Sequence, residues 1–276
     1  MRIPTPARTF LLMLLFWASA NALIYFGIEW LEAPKLPDKH RVSREALAAF
    51  SSSASRIDEA DDTQHNSLAY RLMAPANVKS GRRYPLVVFL HGSAEVGDDN
   101  QAQLRGFPEQ MAETAWRIQM PCFVLAPQCP EESQWTNLGD ELTESIRGVM
   151  AQHPVDPRRV YLTGLSMGGY GCWMLASKEP DLFAAVVPIC GGGDPTWAKR
   201  LINVPIWAVH GDADETVAVE QSRTMIDAIR EQGGHPSYTE LKGVGHNSWT
   251  QTYRDPVGVL KWMFEQRNER TDANSR

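Results

Sequence analysis

The residues whose types and spacing suit chemistry centre on Ser166. It stands in the pentad Gly164-Leu165-Ser166-Met167-Gly168, directly after the apolar run Val160-Tyr161-Leu162 and directly before a helical pattern. A Gly-x-Ser-x-Gly pentad between strand and helix is the context of a nucleophile elbow, which pushes the hydroxyl out above a sheet. A serine hydroxyl is a weak nucleophile at neutral pH, so it needs a base and a third group that orients that base. Three acids follow a later strand candidate: Asp212, Asp214 and Glu215. Asp212 lies in the turn itself and suits capping, and Glu215 faces the next segment, which leaves Asp214 as first choice. Of the seven histidines, His246 alone follows the last strand candidate. It is the expected general base. His40, His65 and His153 read as loop residues, and His235 lies at the far side of the sheet. His91 and His210 each precede a glycine at a strand end and are expected to shape their loops. A developing oxyanion needs two N–H donors. Met167, at a helix N-terminus, supplies one, and Ser93, in the loop after Leu90-His91-Gly92, supplies the other.

Alternating strands and helices must position these groups. Strand candidates are 67–73, 85–90, 122–126, the run into Ser166, 184–189, 205–210 and 237–241. Helix candidates are Ser43 to Phe50, Glu141 to Gln152, Met167 to Lys178, Val219 to Gln232 and Asp255 to Phe264. The central strands are continuous apolar runs, as expected for strands buried on both faces. The pattern predicts an α/β fold: a mostly parallel central sheet flanked by helices, with chemistry gathered at the carboxyl ends of the strands. Only Cys190 to Val204 separates two of these strands, which leaves no room for a large cap domain and predicts an open cleft.

The chain has 276 residues, 43% of them hydrophobic, and a net charge of −6. That suits one full catalytic domain and excludes a basic nucleic-acid surface. The four cysteines show no C-x-x-C spacing, so no structural metal site is expected. Pairing of Cys129 with Cys190 is not favoured over free buried thiols. Arg2 and Arg8 precede an apolar stretch and two A-x-A patterns at 18–22. Residues 1–28 therefore read as a signal peptide or an uncleaved membrane anchor, and the protein as exported, with contact to a membrane only through that segment. Residues 29–66 read as a linker and lead-in, 67–266 as the catalytic domain and 267–276 as a polar tail.

Several pieces together carry a resemblance. They are Leu90-His91-Gly92-Ser93 with Gly97-Asp98-Asp99-Asn100, Ala126-Pro127-Gln128-Cys129-Pro130, Gly164 to Gly169, Pro188-Ile189-Cys190-Gly191-Gly192, His210-Gly211-Asp212-Ala213-Asp214 with Val217, and Gly245-His246. The chain resembles α/β-hydrolases of the esterase and "predicted peptidase" group, similar to phospholipase/carboxylesterases and dienelactone hydrolases. The resemblance places the acid on Asp214 and implies carboxylic ester cleavage through an acyl-enzyme, with no metal or cofactor. The family loop often reads His-Gly-Ser-Gly-Glu-Arg-Gly. Here Ala94 replaces a glycine and Val96 the arginine, which removes any substrate contact made by that arginine. The expected substrate is a small or polymer-linked ester, with Trp249 and Trp135 as aromatic contacts. Trp197, beside Ala198 and Leu201, reads as packing. A peptidase of prolyl-oligopeptidase type is the alternative activity, although the propeller domain of that family is missing. A catalytically silent binding protein is the alternative class.

Overall fold

The computed structural model describes residues 42–53, 68–255 and 258–269. The targeting segment expected over 1–28, most of the linker and the end of the polar tail lie outside the described residues. No helix among the described residues is long and apolar enough to cross a membrane.

Eight strands form one sheet: β1 (Phe50–Ser53), β2 (Tyr70–Met73), β3 (Tyr84–Leu90), β4 (Phe123–Pro127), β5 (Val155–Leu165), β6 (Ala185–Ile189), β7 (Trp207–Gly211) and β8 (Ser237–Leu241). Their spatial order is β1-β2-β4-β3-β5-β6-β7-β8. The first three in that order pair antiparallel, and all later neighbours pair parallel. Every residue of β3, β4 and β6 is buried. The period of two along β3 explains why. Leu86, Val88 and Leu90 enter one core cluster, and Val87 and Phe89 enter the other, on the opposite face. The sheet is the mostly parallel, helix-covered sheet that the apolar runs predict.

The register carries the functional consequence. Leu90 pairs with Gly164, Leu165 with Ile189, Ile189 with Val209, and Gly211 with Leu241. The carboxyl ends of five parallel strands are thus level. The loops that follow them, beginning at His91, Ser166, Cys190, Asp212 and Lys242, open onto one edge.

Within the lead-in, the short helix expected after Ser43 is present. Helix α1 (Arg44–Ala49) is capped by Ser43, whose Oγ accepts the Ala46 N–H at 3.1 Å. The chain then enters β1, an edge strand that pairs with β2. Its three serines have little strand preference and carry no apolar alternation. Buried Phe50 anchors the strand, and the Ser51 hydroxyl donates to the Leu72 carbonyl at 3.1 Å.

The helices that matter for the site are α2 (Phe107–Ala112), α3 (Thr114–Gln119), α4 (Gly139–Gln152), α5 (Met167–Lys178), α6 (Ala198–Leu201), α7 (Glu220–Glu231), α8 (Trp249–Arg254) and α9 (Val259–Glu265). The pattern gave one terminal helix from Asp255. In the structure that helix starts after Gly258, and α8 precedes it. The connection from Cys190 to Val204 holds only a 3-10 turn and the four-residue α6.

Candidate active site

Ser166 follows the last residue of β5 and has φ 53° and ψ −118°. A side-chain-bearing residue in that region costs about 1–3 kcal/mol unless its surroundings hold it. Here its N–H donates to the Ile189 carbonyl at 2.9 Å, and its carbonyl accepts the Tyr170 N–H at 3.1 Å. The glycines make the turn possible. A Cβ on Gly168 would stand 1.9 Å from the Leu90 carbonyl oxygen, and one on Gly164 would stand 2.6 Å from that of Gly168. Strand and helix backbones touch at both positions. Met167 is the first residue of α5, so its N–H has no acceptor within the helix and lies at the positive end of the helix dipole.

The loop after β3 is held from three sides. His91 is 1% exposed. Its Nδ1 lies 2.7 Å from the Gly92 carbonyl, and its Nε2 accepts the Cys129 N–H at 3.0 Å. The neutral Nδ1–H tautomer satisfies both contacts. The Trp135 indole N–H donates to the His91 carbonyl at 2.9 Å. Gln128 donates to the Glu95 carbonyl at 3.1 Å and to Asp99 at 2.9 Å, and accepts from the Asn100 N–H at 2.6 Å. This framing presents Ser93, Ser166 and Met167 around one cavity of about 440 Å³.

Burial brings the His91 pKa down to about 4, against a smaller upward pull from the Gly92 carbonyl. The unfolded chain titrates this group near ~6.5, so between roughly pH 6.5 and 4 it binds a proton that the folded state refuses. Stability therefore falls as pH falls through that window. From pH 7 to pH 5 the His91 contribution to this loss is about 2 kcal/mol. Urea unfolding of the wild type and of His91→Gln at the two pH values checks it. The variant should lose about 2 kcal/mol less over the same interval.

Asp214 sits in the loop after β7. Its side chain is fully buried. Oδ1 accepts the N–H groups of Thr216 and Val217 at 2.8 and 2.9 Å. Oδ2 lies 2.7 Å from His246 Nδ1 and 3.2 Å from His210 Nε2. Burial alone would raise its pKa, but the His246 contact and the two backbone donors outweigh it and hold the carboxyl below its usual value. His210 Nε2 also faces the Val217 carbonyl at 3.0 Å. With two oxygens before it, that nitrogen carries the proton, and Nδ1 lies 2.8 Å from the Ser222 Oγ, which itself donates to the Gly191 carbonyl at 2.8 Å. Burial pushes the His210 pKa down, so the ring is a neutral donor to Asp214. Asp212 ties the loop to its neighbour by accepting the Gly243 N–H at 2.6 Å.

His246 comes from the loop after β8. That loop crosses Gly211, where a Cβ would meet the Val244 carbonyl oxygen at 2.2 Å. His246 Nε2 lies 3.0 Å from Ser166 Oγ. The result is a continuous line: Ser166 Oγ, His246, Asp214, His210. Trp249 packs edge-on against the His246 ring, with centroids 5.4 Å apart and planes at 87°.

Ser166, His246 and Asp214 are therefore brought together, with Ser93 and Met167 beside Ser166. The two tryptophans separate. Trp249 is half-buried and lines the cleft beside Ser166 and His246. Trp135 is 0% exposed and packs edge-on against the His91 ring at 4.9 Å. It lines the floor of the cavity that Ser93, Ser166 and Met167 share, and braces the loop after β3. A Trp indole satisfied by a backbone carbonyl is stable inside a core, which the loop position did not reveal. Trp197 packs against the core. All four cysteines are free and buried. Cys190 lies behind the line, with its ligand-type atom within 4.8 Å of those of Asp214 and His246. Burial pushes its thiol up to about 12, and the other two groups already satisfy each other, so this set suits a hydrogen-bond line better than a cation. Gln128, without a separate role in the sequence pattern, braces the loop after β3, and His210, expected only to shape its loop, also reaches Asp214.

This sheet, elbow and open edge define an α/β-hydrolase of the esterase group. Residues 65–241 match the "Putative esterase" family model, and the chain belongs to that family. A solved thermostable esterase is 38% identical with a TM-score of 0.73, over 80% of this chain and 64% of that one. The bifunctional acetylxylan esterase/xylanase XynS20E of Neocallimastix patriciarum is 28% identical over 174 residues, 61% of this chain and 25% of that protein. The S-formylglutathione hydrolase of Rattus norvegicus is 32% identical over 121 residues, 40% of this chain and 42% of that protein. The chain spans between a quarter and about half of the length of the curated relatives it matches.

Proposed function

We propose that this chain is a serine carboxylesterase that works through an acyl-enzyme. The observation that carries the reading is the line from Ser166 Oγ to His246 Nε2 at 3.0 Å and from His246 Nδ1 to Asp214 at 2.7 Å. As Ser166 Oγ bonds to the ester carbonyl carbon, His246 Nε2 takes its proton. The carbonyl electron pair moves onto oxygen and is met by the N–H groups of Ser93 and Met167, an interaction in which each donor contributes about 10²–10³ in rate. The tetrahedral intermediate collapses and expels the alkoxide, which takes the proton from His246. Water repeats the sequence through His246 and releases the acid.

The proton donor must reach the leaving oxygen, so the alcohol half lies on the His246 side of Ser166. The acyl half then lies in the cavity framed by Ser93, Met167 and Tyr170, which His246 does not line. The short Cys190 to Val204 connection leaves the cleft open, which favours esters on polar or polymeric carriers. The acetylxylan esterase named among the relatives supports that class of substrate. The N-terminal sequence supports export to where such polymers are met.

A fluorophosphonate probe and a substrate panel test the reading. The adduct is expected on Ser166, and p-nitrophenyl acetate and carrier-linked acetyl esters are expected to turn over faster than peptide amides. No adduct at Ser166 would sink the esterase assignment, and a preference for amides would replace it with the peptidase one.

A further inference from the structure

A second cavity, of about 350 Å³, lies beyond Trp249 from the Ser166–His246 pair. The volume falls within the ~300–1,000 Å³ typical of small-molecule sites. It adjoins the catalytic cleft. Ser93 and Ser166 are shared by the acyl-side cavity and the cleft that holds His246, and Gly106 and Trp249 are shared by that cleft and this cavity. Its walls come from α1, α2, the start of α3 and α8. Ser43 and Glu45 precede the stretch that matches the family, and Trp249, Thr250, Tyr253 and Arg254 follow it. Gly106, Phe107, Glu109, Gln110 and Glu113, on the facing wall, lie within that stretch.

We propose that this cavity binds a sugar unit of the alcohol half of the ester, so that the enzyme removes acyl groups from a polyhydroxylated carrier. The inference rests on the esterase reading, because only that reading places the alcohol on the His246 side. The lining chemistry selects the carrier. A hydroxyl is both donor and acceptor, and the walls offer both partners: the carboxylates of Glu45 and Glu113 and the Thr250 Oγ1, whose own proton goes to Asn247 at 2.7 Å, as acceptors, and the Arg254 guanidinium as donor. Trp249, half-buried and shared by both cavities, gives an apolar ring of the kind that stacks on a sugar face. Glu109 is already committed, since its carboxylate accepts the Ser43 N–H at 2.7 Å and the Gly106 N–H at 3.2 Å. That bracing fixes α1 against α2 and keeps the cavity open. A quaternary ammonium would need an aromatic cage. Among the described residues only Trp249 offers a ring here, because Tyr253 and Phe107 are 2% and 1% exposed.

Two blocking variants from opposite walls test it, Glu113→Trp and Glu45→Trp. The readout is kcat/KM for acetylated xylotriose divided by kcat/KM for p-nitrophenyl acetate. We expect this ratio to fall about tenfold in both variants, a loss of about 1.4 kcal/mol. An unchanged ratio in both overturns the proposal while leaving the esterase assignment intact, as does a preference for acetylcholine over the sugar ester. Calorimetry of unacetylated xylotriose with Ser166→Ala protein gives a readout independent of turnover. Binding that disappears on adding Glu113→Trp supports the sugar site, and absence of binding before that change overturns it. If Ser166 takes no fluorophosphonate, the esterase reading fails and takes the acyl-removal part of this proposal with it, while the calorimetry separately decides whether the cavity holds a sugar.

Discussion

Replacing Ser166 by Ala is expected to lower kcat on p-nitrophenyl acetate by about 10⁴–10⁶-fold, with KM changed only a few-fold. The loss is large because the hydroxyl that His246 Nε2 activates is the one removed. The serine sits where five strand ends are level, and its hydroxyl lies 3.0 Å from the base. The residual rate reports what the Ser93 and Met167 donors achieve with water as the nucleophile. Ser166→Gly should be as inactive but more stable. Its φ of 53° with ψ of −118° is a region that glycine enters without a Cβ clash, so relief of strain should raise stability by about 1 kcal/mol. Urea unfolding of the two variants separates the terms. If Gly and Ala are equally stable, the elbow stores no strain. If Ala keeps full turnover, Ser166 is not the nucleophile.

The sheet was legible because β3, β4 and β6 are buried on both faces, and such strands must be written as continuous apolar runs. The elbow was legible because two backbones in contact leave only glycine at Gly164 and Gly168. Both constraints act on neighbours in sequence. What escaped depends on distant segments meeting. β1 is held by one phenylalanine and by pairing with β2, so three serines carried no strand pattern. Trp135 read as a loop aromatic, although the His91 carbonyl and Gly171, whose missing side chain leaves it space, draw it inside. The second cavity joins residues near 45, 110 and 250, and no local pattern links them. His210 was read as a loop-shaping residue. That its ring reaches Asp214, four positions on, follows only from the turn between them.

That contact bears on the acid, and Asp214→Asn is expected to lower kcat by about 10⁴-fold. The carboxylate accepts four donors: the N–H groups of Thr216 and Val217 on one oxygen, and the rings of His246 and His210 on the other. An amide has one acceptor end and one donor end, so in either orientation a donor meets donors. If the NH₂ faces the rings, His246 is driven to the tautomer with its proton on Nε2, where it has no lone pair for the Ser166 proton. If it faces the backbone, the N–H groups of Thr216 and Val217 lose a charged acceptor. The second outcome costs about 1–3 kcal/mol of stability, and the first costs the chemistry. Asp214→Asn should therefore unfold at lower urea, or label with fluorophosphonate orders of magnitude more slowly, or both. His210→Gln removes one ring donor while leaving Asp214 charged, so it should lower kcat by a smaller factor, on the order of tenfold, with KM unchanged. An Asp214→Asn enzyme with both normal stability and normal labelling would mean that this carboxylate does not orient His246. Either neighbouring acid, Asp212 or Glu215, would then be the next to replace.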